Sequence, residues 1–219
     1  FSGDSQIVLA GGNNLPKYEG KVPEWENSLW KSCSYGRYLS EYSLIDFNSL
    51  KQEVAPQFFY GCNFAIRRQF LIDCKGFHPD GFSKENILFR GDGESYISEQ
   101  VQKLGRKAYF SHEASIYHRI PTERLTEEYL SFRHYSQGIS FSYHALRMKK
   151  RGSKIAYCLL MLKYSLGKLR AKRIHTIFLR KLRLAFFEGA LAHLNAYNNQ
   201  VAIQNWVHRE HYLKKKKLE

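Results

Sequence analysis

Two carboxylates lie close together in one short stretch of this sequence, Asp92 and Glu94 in Gly91-Asp92-Gly93-Glu94, directly ahead of a segment with helical periodicity. The flanking glycines let the backbone turn both acids toward a cleft, where one can serve as general base and the other orient a hydroxyl or a metal-bound group. Helix capping is the competing use of the same residues, because an acid just before a helix is stabilised by the first turn's unpaired N–H groups and dipole. His112, His118 and His134 are further groups able to move a proton or ligate a metal near neutral pH. His118, in Ile116-Tyr117-His118-Arg119, follows an expected strand end, where the sites of α/β folds gather, and Arg119 and Arg124 add positive charge for a phosphate. A hydrogen-bonded structural histidine is the plainer reading of the same residue. No His-x-x-x-His, Gly-x-Ser-x-Gly or phosphate-loop pattern occurs, which removes metalloprotease, serine-hydrolase and P-loop chemistry.

The elements that must position these groups alternate in type. Ile7 to Ala10 reads as a buried strand stopped by Gly11-Gly12-Asn13-Asn14, and residues 15–30, with Pro16 and Pro23, read as irregular. Residues 58–67 read as an aromatic strand bent at Gly61-Cys62-Asn63. Tyr96, Ile97, Val101 and Leu104 recur at helical spacing, and Gly105 stands where a helix-ending glycine belongs. Short strands over 107–110 and 114–117 follow, then a helix from 121–123 to about Gly138. This alternation predicts an α/β fold for residues 1–148. Beyond it, Ile155, Leu159, Leu162, Leu166 and Leu169 fall on one helical face among lysines and arginines, and Ile174, Ile177, Phe178 and Leu182 continue the pattern. Residues 149–219 thus read as a basic amphipathic helical extension, with Lys214 to Lys217 as a frayed end.

Charge divides the chain in the same place. Residues 145–219 hold 18 Lys and Arg against 3 acids, or +15, whereas 1–144 hold 16 against 17, or −1, within a 219-residue total of +14. A near-neutral globular part and a strongly basic one need not share a partner. The four cysteines at 33, 62, 74 and 158 have neither zinc-ligand nor disulfide-framework spacing, which points to reduced thiols in a cytoplasmic setting. The longest apolar run, Ile155 to Leu162, is too short to span a bilayer. The chain opens on Phe1 with no signal-peptide pattern, so the start is expected to have been cut.

Taken in order, several segments resemble the acceptor-side half of a family 2 glycosyltransferase with the GT-A fold. They are Gly11-Gly12, the stretch from Pro16 to Trp25, Tyr60-Gly61-Cys62-Asn63-Phe64-Ala65-Ile66-Arg67-Arg68, Gly76-Phe77 with Gly81-Phe82, the acidic loop at 91–94, Gly105, Ala114 to His118, and Arg124-Leu125-Thr126 to Gly138. Gly189 to His193 followed by Asn205-Trp206-Val207 is similar to the tails of bacterial members. The resemblance implies transfer of a sugar from a nucleotide-sugar to a glycan or lipid-linked acceptor in cell-surface polysaccharide synthesis, with inversion and a divalent metal, Mn²⁺ or Mg²⁺. It implies further that Asp92 or Glu94 is the base, that Gly61, Cys62 and Asn63 line the donor-sugar and acceptor cleft, that Arg119 and Arg124 contact substrate, and that His118 sits near the metal and diphosphate. Family members carry a nucleotide-binding half with a D-x-D motif upstream of the segment matching Ile7 to Gly12. No D-x-D occurs in these residues, so the expectation is an incomplete transferase.

The basic extension admits two readings. Either its apolar faces sink into an anionic membrane surface, making the protein peripheral at the inner face of the cell membrane, or they pack as ordinary core under a solvated charged face. Two other functions stand beside the transferase: a non-catalytic module of a polysaccharide-assembly complex, and a nucleic-acid-binding protein. The last has the electrostatics but none of the helix-turn-helix, zinc-finger or RNP signatures, so nucleic acid is not the expected partner.

Overall fold

A computed structural model describes residues 3–48, 51–148, 154–170 and 174–212. It is a mixed α/β structure whose described residues fall into two compact units, one of 3–78, 93–125 and 211–212, the other of 79–92 and 126–210. That division follows contacts, whereas the 148/149 boundary follows charge, and the two do not coincide. The expected fraying of Lys214 to Lys217 lies outside the described residues.

The first unit holds all the strands found among the described residues. One mixed sheet is built from β1 (Ile7–Gly11), β6 (Lys51–Glu53), β7 (Ala65–Ile66) and β8 (Lys107–Ser111), in the order β6-β8-β1-β7. The other, in the order β3-β4-β5-β2-β9, is built from β2 (Asn14–Tyr18), β3 (Lys31–Cys33), β4 (Gly36–Leu39), β5 (Leu44–Phe47) and β9 (Ile116–Ile120). β1 runs parallel to β8 and β2 parallel to β9, so the two consecutive strands of one segment pair with the two of the other. α1 (Arg68–Asp73) and α2 (Glu94–Lys103) belong to the same unit. Ile97 and Val101 of α2 pack with Val8, Leu9, Phe47, Phe59 and Phe110 in one core. Burying such side chains contributes about 1.5 to 3 kcal/mol each, which is what holds α2 in place.

Three expectations are corrected here. The stretch 15–30 is not wholly irregular: Pro16 lies within β2, and the buried Glu26 accepts from Tyr18 Oη and Trp30 Nε1, fastening the 3-10 turn Glu26–Leu29 to that strand. Residues 58–67 do not form one bent strand, since 3-10 turns over Pro56–Phe58 and Gly61–Asn63 leave only Ala65–Ile66 paired as a strand. The helix expected to stop at Gly138 is α3 (Glu127–Arg147), capped at Thr126, and it runs through that glycine. Gly138 is there for close approach, since a Cβ on it would lie 1.9 Å from Phe186 O.

The second unit is helical: α3, α4 (Lys154–Arg170), α5 (Ile174–Asn199), α6 (Val201–Val207) and a 3-10 helix over Lys84–Phe89. Gly138 of α3 and Gly189 of α5 make the crossing of these two helices close from both sides, because a Cβ on Gly189 would meet Tyr135 O at 2.0 Å. Phe82, Phe89 and Trp206 form an edge-to-face ring cluster that ties the 3-10 segment to α6. Phe178 and Leu182 of α5 are buried, so this part of the basic extension is ordinary core.

Candidate functional site

The loops leaving the carboxyl ends of the parallel strands β1 and β8 are pinned together by one side chain. Asn63 Nδ2 donates to Ala114 O at 2.8 Å and to Asn13 O at 3.3 Å, and Asn13 O also accepts from Ile116 N. The site depends on glycine at this corner, because a Cβ on Gly11 would meet Asn63 O at 2.5 Å and one on Gly12 would meet the Ser111 and Ala114 carbonyls at 2.5 Å. Carboxyl ends of adjacent parallel strands are where ligands bind in α/β folds. The amide nitrogen of Asn63 is thus spent on architecture.

Glu94 arrives over the same turn. Gly93, with φ 52° and ψ −127°, a conformation for glycine alone, is the N-cap of α2 and offers no side-chain cap. The N-cap position itself thus carries no side chain, and Glu94 is the acid of the first turn, where the helix dipole also favours it. Glu94 begins the helix, and its Oε1 lies so near Gly61 that a Cβ there would be 2.0 Å away. Cys62, also in the turn, feels this carboxylate: exclusion of water pushes its thiol pKa up, and the negative charge of Glu94 adds to the rise.

Beside them is an open cleft of about 340 Å³, lined by Gln57, Phe59, Tyr60, Glu94, Ser95, Ser98, Glu99 and Gln102. The size is that of a small-ligand site, and its walls mix aromatic rings with hydrogen-bonding side chains. Ser98 Oγ is bonded to Pro56 O, and Gln102 Nε2 to Gln57 Oε1, so both walls are braced. Gln57, Ser95, Ser98, Glu99 and Gln102 are not among the residues singled out from sequence, and Tyr60 stood there only at the head of the segment 60–68, with no role given to it. Four of them carried a signal, since positions 95, 98, 99 and 102 recur at i, i+3, i+4 and i+7 and so share one polar face of the helix.

The other expected residues are distributed as follows. Asp92 belongs to the helical unit, where its nearly buried carboxylate lies 2.9 Å from His144 Nδ1 of α3. Next to it, Ser140 Oγ donates to Gly91 O and accepts from Arg90 Nε, which fixes the loop on α3. His118 is on β9 opposite Pro16. Arg119, on the same strand, is exposed and donates to Glu19 Oε1, and the carbonyl of Arg124 accepts from Tyr42 Oη. His112 opens the 3-10 turn His112–Ala114, whereas His134 is buried on α3 in the helical unit.

Among the described residues, no three His, Cys, Asp or Glu side chains come together as metal ligands, so His118 lacks the companions a metal site needs. The described residues thus offer no ready-made ligand set for a divalent ion. Nor is any helix among the described residues long and apolar enough to cross a membrane. In comparisons with known proteins, no family model, curated protein or solved structure matches this chain.

Proposed function

We propose that the α/β unit is the acceptor-side portion of a GT-A glycosyltransferase of family 2 type, and that the cleft under α2 receives a saccharide. The observation that carries this reading is the seating of Glu94 over the glycine of the Gly61-Cys62-Asn63 turn, on the edge of a cleft walled by Phe59, Tyr60, Gln57 and Ser95. Aromatic faces and short polar side chains together suit a polyhydroxylated ring, which presents C–H faces and hydroxyl edges.

In this reading Glu94 is the general base. Its carboxylate takes the proton of an acceptor hydroxyl as that oxygen forms its bond to the anomeric carbon of the donor sugar. The bond from that carbon to phosphate breaks, and the nucleoside diphosphate leaves with the electron pair. Positioning of this kind and a base within hydrogen-bond reach each contribute orders of magnitude to rate. Asp92, held by His144, would support the loop rather than act on substrate. His118, Arg119 and Arg124 remain candidates for the diphosphate, and a divalent metal there would need ligands beyond those the described residues supply. Cysteines with no disulfide among them suit the cytoplasmic setting that goes with the reading.

The test is release of nucleoside diphosphate from a panel of nucleotide-sugars, with Mn²⁺ and Mg²⁺ and a saccharide acceptor. It is run on the 219-residue chain and on one that includes any coding sequence preceding Phe1. Release that needs the acceptor supports the reading. No release from either form moves the weight to a non-catalytic module of a polysaccharide-assembly complex.

A further inference from the structure

Helix α4 is apolar on two sides. One side is packed: Tyr157 is buried against Ala190 and Leu194, and the rings of Tyr157 and Tyr164 rest on Phe187 of α5. On the other, Ile155, Leu159, Leu162 and Leu166 are 73%, 61%, 55% and 44% exposed. At 100° per residue these four fall within an arc of about 60°, so they form one continuous ridge along three turns. Lys154 and Lys163, both exposed, stand roughly 70 to 110° to either side of its midline. The stripe expected from the sequence is therefore split, with Phe178 and Leu182 of α5 in the core and Ile155, Leu159, Leu162 and Leu166 of α4 facing outward.

The sequence through this helix carries charge of one sign. Residues 147–173 contain ten Lys and Arg and no Asp or Glu. We propose that α4 is a membrane-surface helix whose ridge enters the headgroup boundary of an anionic bilayer while the lysines beside it meet lipid phosphates. At 17 residues and with lysines along it, the helix lies in the surface plane and does not span. A second copy of the chain is the poorer occupant, because a stable protein interface takes about 20 to 30 residues a side and two such faces would bring like charges together. Nucleic acid would meet the lysines but has no counterpart for four aliphatic side chains at the centre of the face. The inference does not rest on the transferase reading and survives its failure.

The experiment is co-sedimentation of the full 219-residue chain with vesicles of phosphatidylcholine alone or with about one third phosphatidylglycerol. Ile155→Gln, Leu159→Gln, Leu162→Gln and Leu166→Gln are combined in one variant, and Lys154→Gln and Lys163→Gln in a second. Glutamine keeps helix propensity and the replaced side chains are exposed, so circular dichroism and Tm should be retained; the single Leu159→Gln change serves if the combined variant loses fold. Wild type should prefer the anionic vesicles and bind less at high salt. The ridge variant should lose roughly tenfold or more of that binding, and the lysine variant several-fold with a weaker salt response. Absence of vesicle binding by wild type, or binding that the ridge variant keeps, overturns the proposal. So does a dimer in sedimentation velocity that the ridge variant abolishes, or binding to duplex DNA as tight as to anionic vesicles.

Discussion

Replacing Gly61 by Ala should damage function while sparing the fold. A methyl group at this position would stand 2.0 Å from Glu94 Oε1, whereas ordinary contact begins at 3.4 Å, so the carboxylate oxygen must retreat by about 1.4 Å. What yields is the far end of a flexible side chain, and the next atoms met, Cδ at 3.1 Å and Cγ at 3.7 Å, belong to the same side chain. Stability should therefore change by less than about 1 kcal/mol, the range of substitutions that disturb no packed backbone. A base displaced by more than an ångström is a different matter, since about 1 Å of misplacement costs on the order of 10²-fold in rate. The assay pairs the urea midpoint with nucleoside diphosphate release. An unchanged midpoint with release down by about 10² is the expected result. A variant that unfolds early, or one that is stable and as active as wild type, would refute the assignment of Glu94 to this corner.

Other consequences are equally specific. Glycine to alanine inside a helix normally stabilises by about 0.5 to 1 kcal/mol, but at Gly138 or Gly189 the new methyl meets a backbone carbonyl of the facing helix, at 1.9 or 2.0 Å. Overpacking against backbone should reverse the sign and cost at least about 1 to 3 kcal/mol, read as a lower Tm and urea midpoint. His193 is fully buried with Nδ1 3.0 Å from Ser142 Oγ, and burial lowers its pKa from 6.5 to about 4. The unfolded chain takes up this proton near 6.5 and the folded chain only near 4, so unfolding binds a proton in that window. The stabilisation is full above pH 6.5 and declines by about 3 kcal/mol as pH falls toward 4, a slope that His193→Phe should flatten. Alkylation followed by mass spectrometry should find the Cys62 thiol slow at neutral pH, and Glu94→Gln should speed it by removing the neighbouring charge; no change would separate the two residues.

Much of the first unit was legible because its signals are local. The period of Tyr96, Ile97, Val101 and Leu104 and the terminal Gly105, whose φ is 61°, place α2, and the run Ile7 to Ala10 places β1. Strands β2 to β5 were not read, because pairing with distant partners makes them: Pro16 is tolerated in β2 opposite His118, a contact between residues a hundred positions apart. Gly138 misled because a glycine that ends a helix and one that admits a neighbouring helix look alike in sequence. The acidic loop was found by composition, but its two acids separate in role only through tertiary partners, His144 for Asp92 and the Gly61 turn for Glu94. The polar face of α2 was present in the spacing of Ser95, Ser98, Glu99 and Gln102. Gln57, from the 3-10 turn Pro56–Phe58, carried no pattern at all, and Tyr60, on the approach to the next turn, was legible only as the first residue of the segment 60–68.

The central claim, a saccharide cleft with Glu94 on its edge, is tested most directly by titrating the ¹⁵N-labelled chain with a panel of mono- and oligosaccharides. Amide shifts are followed in wild type and in Glu94→Gln. Saturable shifts confined to Gly61–Asn63, Glu94, Ser95 and Gln102, retained in the variant while nucleoside diphosphate release falls by about 10², are expected of a base that acts on a bound acceptor. A panel in which no saccharide moves these amides, or in which Glu94→Gln releases product as fast as wild type, would contradict it.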